Sequence, residues 1–177
     1  DGDLDLFVTN GLFHDGEESF QYKLETYYVA PTLLLTDSRG FPSTVGGEVR
    51  GRDRSCLFLQ KEGQFYDVAD RVGLSEKFVG RGSASVDFDN NGTIDIVVAS
   101  HNDRPRVYRN QNRNDFKWIG FNLKSRGNRS LLGTVARVFT SERKQMRELY
   151  PTNGFSSQSD SRMFFGLGKS DIEKVEI

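Results

Sequence analysis

Apolar residues in this chain alternate with small or polar residues over short runs, and helical periodicity is weak nearly everywhere. Such alternation predicts β-strands, because successive side chains of a strand point to opposite faces of its sheet. Residues 57–69 predict two strands joined by a turn at Glu62-Gly63, and residues 82–87 and 94–99 predict two more. Further strands are predicted near residues 106–110, 117–123, 134–140, 145–150, 161–165 and 172–177. We therefore expect an all-β protein.

The segment Asp87–Asp95, between two of these strands, carries the clearest chemical signal. Counted from its first residue, oxygen-bearing side chains occupy positions 1, 3, 5 and 9, and Gly92 at position 6 permits a tight turn. A hard cation such as calcium takes about six to eight oxygen ligands, and a short loop with alternating carboxylates suits it. The candidate ligands are the side chains of Asp87, Asp89, Asn91 and Asp95 and the main-chain carbonyl of Thr93.

The loop differs from the EF-hand that it partly matches. An EF-hand loop ends with a glutamate at position 12 and lies between helices, whereas position 12 here is Val98 and the flanks predict strands. The alternative is an acidic hairpin turn that binds nothing, since Asp, Asn and Gly all favour turns. Three carboxylates on one turn repel each other unless a cation or solvent screens them, and this favours a calcium loop closed by Asp95.

The first residues of the chain repeat the second half of this pattern. When Asp1 is aligned with Asn91, Gly2 falls on Gly92 at an offset of 90 residues, and a strand-like run follows both. An internal repeat at a fixed period indicates a propeller or a related array. The first copy lacks its positions 1 and 3, so we interpret the chain as a fragment, which accounts for the lack of a signal peptide. The candidate ligands of this partial loop are Asp1, Asp3 and Asp5.

Residues 56–110 resemble one near-complete blade of the FG-GAP or VCBS type, the calcium-binding repeat of integrin-type β-propellers. The resemblance implies four short antiparallel strands per blade and a bound calcium. One departure is Asn91, where the family usually has aspartate, and it lowers the negative charge of the site. The matching pieces are Leu57-Phe58, Gly63–Val68, Gly73-Leu74, Gly80–Gly82 and the Asp87–Asp95 loop.

The remainder of the chain resembles the ASPIC/UnbV domain that follows such repeats in proteins related to cartilage acidic protein. Together the resemblances imply a partial β-propeller over residues 1–112, with an insertion at about 11–55. They also imply a β-rich ASPIC/UnbV-like domain over residues 113–177, truncated at its C-terminus. The matching pieces are Lys117–Ile119, Asn128-Arg129, Leu132–Val138, Gly154–Ser159 and Phe164–Gly168.

The composition excludes several function classes. A formal net charge of −1 gives no bulk attraction to nucleic acid or to an anionic membrane. No apolar run approaches the ~18 residues of a membrane span. The only cysteine, Cys56, rules out an internal disulfide, and its apolar surroundings predict a buried thiol. Two isolated histidines, His14 and His101, give no basis for a nucleophile with its base.

The functional hypothesis follows from the loop and the resemblance together. The resemblance implies a non-catalytic calcium-binding module that is extracellular, periplasmic or on a cell surface, with calcium as the cofactor. It also implies a role in adhesion, with an extracellular protein or glycan as the partner. The alternative is a scaffold or accessory segment of a larger secreted enzyme. Extracellular modules bind calcium at about 10⁻⁴–10⁻³ M, which suits the millimolar calcium outside cells.

Overall fold

The structure, a computed structural model, describes residues 2–10, 53–101, 103–111, 115–127, 129–152 and 154–177. Over these residues the chain is all-β apart from one 3₁₀ turn at Ala69–Val72, which confirms the predicted class. Among them, no helix is long and apolar enough to cross a membrane. The strands are β1 (Leu6–Val8), β2 (Asp53–Arg54), β3 (Cys56–Lys61), β4 (Gln64–Asp67), β5 (Lys77–Phe78), β6 (Gly80–Val86), β7 (Asp95–Ser100), β8 (Arg106–Tyr108), β9 (Lys117–Phe121), β10 (Val135–Thr140), β11 (Lys144–Glu148), β12 (Met163–Gly168) and β13 (Ile172–Glu176).

The strands before residue 111 form small antiparallel sheets. β3 lies between β1 and β4, β7 lies between β6 and β8, and β2 pairs with β5. The turn from β3 to β4 falls at Glu62-Gly63, as predicted, with φ of +52° and +78°. Two successive positive φ angles are what a tight two-residue hairpin needs to match the twist of its strands.

One expectation about these strands is wrong. Residues 56–110 are predicted to form one near-complete blade, but their strands divide between sheets. β3 and β4 join β1, whereas β6, β7 and β8 form a sheet of their own. Within the described residues these two sheets have three strands each, and they form neither a closed barrel nor a ring of blades. The period of two in a strand specifies its faces and not its neighbour, so the sequence left the pairing open.

The pairing registers show that these two three-stranded sheets repeat one another. Leu6 lies opposite Phe58 in the first sheet, and Ile96 lies opposite Tyr108 in the second. Ile96 follows Leu6 by 90 positions, the offset predicted from the sequence, whereas Tyr108 follows Phe58 by only 50. The chain between paired residues is therefore 40 residues longer from β1 to β3 than from β7 to β8.

The longer connection contains the predicted insertion at about 11–55, of which residues 11–52 lie outside the described part of the chain. Its end forms β2, followed by the buried Ser55. Cys56, the first residue of β3, is only half-buried, so the prediction of a buried thiol is wrong. Its sulfur lies 3.9 Å from the side-chain amide of Asn10, in the segment after β1.

Strands β9–β13, here called the C-terminal unit, form two antiparallel sheets around one core. β10 lies between β11 and β13, and β12 pairs with β9. Every second residue of β10 and β12 is buried, because alternate side chains of a strand share a face. Four of these strands agree with the predicted runs, although β12 begins two residues later than predicted. The core comprises Ala136, Val138, Leu149, Met163, Phe165 and Leu167.

Candidate calcium loop

The loop Asp87–Asp95 joins β6 to β7, in the predicted strand–loop–strand arrangement. Asp87 follows the last residue of β6, and Asp95 begins β7 opposite Val86. Both aspartates are only 2% exposed, so their carboxylates are buried at the base of the loop. Asn90 and Gly92 have φ of +56° and +84°. The left-handed conformation at position 6 explains why the sequence has a glycine there.

Main-chain N–H groups hold the two buried carboxylates. Asp87 accepts hydrogen bonds from the N–H groups of Asn91 at 3.1 Å and Gly92 at 2.9 Å. Asp95 accepts one from the N–H of Asn110, just after β8, at 2.8 Å and another from within the loop. No lysine, arginine or histidine in the described part of the chain hydrogen-bonds to either carboxylate. Buried charges are normally paired or bound to a metal. The charge of the nearby Arg162 guanidinium acts on Asp87, but no cationic side chain donates to either carboxylate.

The middle of the loop is organised by Asn91 and Thr93. The side-chain oxygen of Asn91 accepts hydrogen bonds from the N–H of Thr93 at 2.7 Å and from its hydroxyl at 2.5 Å. The Thr93 hydroxyl also lies 3.3 Å from the carbonyl of Asn110. An Asx turn of this kind holds the amide oxygen of Asn91 on the loop side of its backbone.

The third carboxylate, Asp89, forms an ion pair with Arg109. Over the ranges that the structure describes, no group of three or more His, Cys, Asp or Glu side chains is arranged to hold a metal ion. Asp87, Asp89 and Asp95 are therefore not gathered into one such group in this structure. In donor chemistry the set still fits calcium, which prefers carboxylate, amide and carbonyl oxygens. The five ligands therefore stay a prediction.

The partial first loop makes the same contact to its sheet as the complete loop. Asp5 accepts the N–H of Gln60 at 3.0 Å, and Asp95 accepts that of Asn110 at 2.8 Å. Asn110 follows Gln60 by 50 positions, the offset that also relates β3 to β8. The two closing aspartates therefore accept equivalent main-chain hydrogen bonds, although Asp5 is exposed and Asp95 is buried.

The remaining residues of the partial loop face the C-terminal unit, except that Asp1 lies outside the described residues. Asp3 pairs with the guanidinium group of Arg143 at 3.0 Å. Gly2 has φ of +108°, and a Cβ there would overlap the carbonyl oxygen of Gly166. Asp3 and Asp5 thus contact different groups in this structure, and their role as ligands stays a prediction.

The complete loop also contacts the C-terminal unit. A Cβ at Gly92 would overlap the indole ring of Trp118, on β9. The guanidinium group of Arg162 donates to the carbonyl of Asp87 at 2.8 Å and to the side-chain oxygen of Asn90 at 2.5 Å. The loop is therefore covered by one aromatic and one cationic side chain from the C-terminal unit.

Asp160 holds Arg162 in this position. Its carboxylate accepts the main-chain N–H of Arg162 at 2.9 Å and the Nε of that side chain at 2.8 Å. Burial is the largest single influence on Asp160 and acts to raise its pKa, but the hydrogen bonds and charge of Arg162 together lower that pKa below its usual value. The same side-chain hydrogen bond raises the pKa of Arg162.

Sequence reasoning did not find Arg109, Trp118 or Arg162 as part of this site. Arg162 is 75 residues from Asp87 along the chain, and no local spacing connects such distant positions. One signal was present, because Trp118 is the only tryptophan of the chain. An aromatic side chain that is 41% exposed in the structure commonly marks a contact surface.

Comparison with known proteins supports the predicted C-terminal part of the chain. No curated protein matches the chain. One family matches residues 124–177, a segment that contains β10–β13. This part of the chain is similar to the family described as ASPIC and UnbV.

Proposed function

We propose that this chain is a non-catalytic calcium-binding module in which the loop Asp87–Asp95 holds one calcium ion. The observation that carries the proposal is the burial of Asp87 and Asp95, each 2% exposed, with carboxylates that accept only main-chain hydrogen bonds in the described residues. Two like charges in a medium of low dielectric repel strongly and lose their hydration. A bound divalent cation would supply the opposing charge at this point.

The proposed ligands take different roles. Asp87 and Asp95 provide the buried carboxylates, and Asn91 and the carbonyl of Thr93 provide neutral oxygens. Asp89 forms an ion pair with Arg109 in this structure, so it has to release Arg109 in order to bind calcium. Both side chains of that pair are substantially exposed, at 39% and 62%. Exposed ion pairs contribute only about 0–1 kcal/mol, so releasing Asp89 costs little.

The repeat suggests a second, related loop. Asp5 occupies the place of Asp95, as its hydrogen bond to Gln60 indicates. Asp1, Asp3 and Asp5 are therefore proposed as the matching ligands of a preceding calcium loop. The equal registers of the two sheets support a repeat of the FG-GAP or VCBS type. The proposal places such a module outside the cytoplasm, where calcium is millimolar, in adhesion or in binding a protein or glycan.

The proposal includes no catalytic step. Hydrolysis at neutral pH needs an activated nucleophile, tuned acid and base groups, or an activated water. The chain has two histidines, and the three loop aspartates are assigned to one cation. A role as scaffold or accessory segment of a larger secreted enzyme remains the alternative. A catalytic domain in the full-length sequence would favour that alternative. A screen of esters, phosphoesters and glycosides tests the proposed lack of catalysis in this chain, and turnover that Asp95→Asn removes would overturn it.

Calcium binding is tested by titration calorimetry and by thermal unfolding in EDTA and in 10 mM calcium. With a dissociation constant of about 10⁻⁴–10⁻³ M, 10 mM calcium should stabilise the fold by about 1.4–2.7 kcal/mol. Asp89→Ala should abolish the heat of binding and the shift in melting temperature, because it removes one of three carboxylates. Asp89 is exposed, so this variant is expected to fold in EDTA like the wild type.

The matched control for this experiment is Asp115→Asn, which removes a carboxylate from an exposed residue outside the loop. It should bind calcium like the wild type. Equal heats and equal melting temperatures for all three proteins, with and without calcium, would refute the proposed function.

A further inference from the structure

We infer that the C-terminal unit binds the calcium form of the loop Asp87–Asp95, so that calcium binding and docking of the C-terminal unit strengthen each other. The inference rests on the proposed function and names its regulation. The docking surface is formed by Trp118, Ser159, Asp160 and Arg162.

The first contact is between Trp118 and the glycine of the loop. Residue 92 combines a φ of +84° with an indole ring where a Cβ would stand. Trp118 is held from its other side by Phe164, whose ring centroid lies 6.1 Å away. Arg162 lies over the same Phe164 ring, 4.9 Å from its centroid. The indole and the guanidinium group that cover the loop are therefore positioned by one shared side chain.

The second contact is polar and involves the loop backbone. Arg162 donates to the carbonyl of Asp87 and to the side chain of Asn90. These two residues flank the pair Phe88-Asp89. Its acceptors thus belong to the same turn of backbone that presents the carboxylates. Any ligand that favours this conformation of the turn also favours the acceptor positions that Arg162 uses.

The third contact extends the docking surface along β6. Among the strands that the structure describes, β6 pairs only with β7, and its other edge faces the C-terminal unit. Ser159 and Asp160 occupy that edge: the Asp160 N–H donates to the carbonyl of Ser85 at 2.9 Å, and the Ser85 N–H donates to the Ser159 hydroxyl at 3.1 Å. Gly82 lies further along β6, and a Cβ there would come within 2.5 Å of the Ser156 carbonyl. The strand that leads into the loop is thereby joined to the C-terminal unit.

The partial first loop shows the same arrangement independently. Gly2, the repeat equivalent of Gly92, packs against the carbonyl of Gly166 on β12. Arginine side chains of the C-terminal unit again approach the loop, with Arg143 on Asp3 and Arg147 on the Gly2 carbonyl. Two repeat-related turns therefore contact one C-terminal unit, each through a glycine with positive φ and an arginine. A single chance contact does not explain this correspondence.

Coupling follows from thermodynamic reciprocity. If the docked surface favours the loop conformation that binds calcium, calcium favours docking by the same factor. Coupling of this kind commonly changes affinity by about 5–150-fold. Arg162 is 24% exposed and supplies two of the contacts. We therefore expect its replacement to weaken calcium binding by a factor at the lower end of that range.

The test combines calorimetry with hydrogen exchange measured by mass spectrometry. Arg162→Gln should weaken calcium binding roughly five- to tenfold. In the wild type, calcium should slow exchange in the peptide that covers residues 156–162, because the amide of Asp160 is bonded to β6. That slowing should be absent in Asp89→Ala. Arg126→Gln, at an exposed arginine outside the docking surface, is the matched control and should change neither measurement.

Trp118→Phe provides a second variant that keeps an aromatic ring on β9 and should fold if Arg162→Gln does not. It should also weaken calcium binding, because the smaller ring covers less of the loop. Calcium binding that is unchanged in both variants, with no slowing of exchange in the wild type, would overturn the inference while leaving the proposed function intact. Absence of any calcium binding in the wild type would overturn both.

Discussion

Phe165→Ala should lower the free energy of unfolding of the C-terminal unit by about 3–5 kcal/mol, the usual cost of removing a buried aromatic ring. Phe165 is 0% exposed and lies at the centre of the core between the two sheets. Its ring meets Phe121 edge-on at 5.7 Å, and the guanidinium group of Arg147 lies 5.4 Å from its centroid. The loss combines the transfer free energy of the ring with a cavity that neighbouring strands cannot fill.

Urea unfolding followed by Trp118 fluorescence measures this loss. Trp118 reports on the same sheet, because it lies opposite Gly166 in the pairing of β9 with β12. The matched control is Phe155→Ala, at a residue that is 74% exposed, which should change the free energy by no more than about 0.5 kcal/mol. Similar losses in the two variants would show that Phe165 does not anchor the core.

The predictable parts of this fold are those that local chemistry decides. The turn at Glu62-Gly63 is predictable because Gly63 suits a positive φ angle, although Glu62 also adopts one. The alternation of Val135–Thr140 predicted a strand with one buried face, and every second residue there is buried. The offset of 90 residues predicted a repeat, and it relates β1 to β7, although their partners β3 and β8 are offset by only 50.

The unpredictable parts depend on contacts between distant residues. Nothing in the alternation of β3 specifies β1 as its neighbour, because 47 residues separate those strands. Asp89 pairs with Arg109, and Arg162 contacts Asp87. No spacing of residues in the sequence indicates either of these contacts. The loop itself was visible in the sequence, whereas the side chains that cover it were not.

Gly92→Ala is expected to destabilise the fold by about 2–6 kcal/mol, since it introduces two costs at once. A φ of +84° is strained for a residue with a Cβ, at about 1–3 kcal/mol. The added Cβ also overlaps the indole ring of Trp118, and overpacking of this kind costs about 1–3 kcal/mol. Measuring unfolding by circular dichroism in EDTA keeps calcium out of the comparison.

Gly73→Ala separates the two costs, because Gly73 has the same φ of +84° and a Cβ there would meet nothing within 4 Å. It should show the backbone cost alone and therefore destabilise less than Gly92→Ala. In a Trp118→Ala background the excess at residue 92 should disappear, since the overlapping ring is gone. Equal losses in the free energy of unfolding for the two glycine substitutions in the wild-type background would show that Trp118 does not pack against Gly92. Trp118 would then no longer belong to the docking surface.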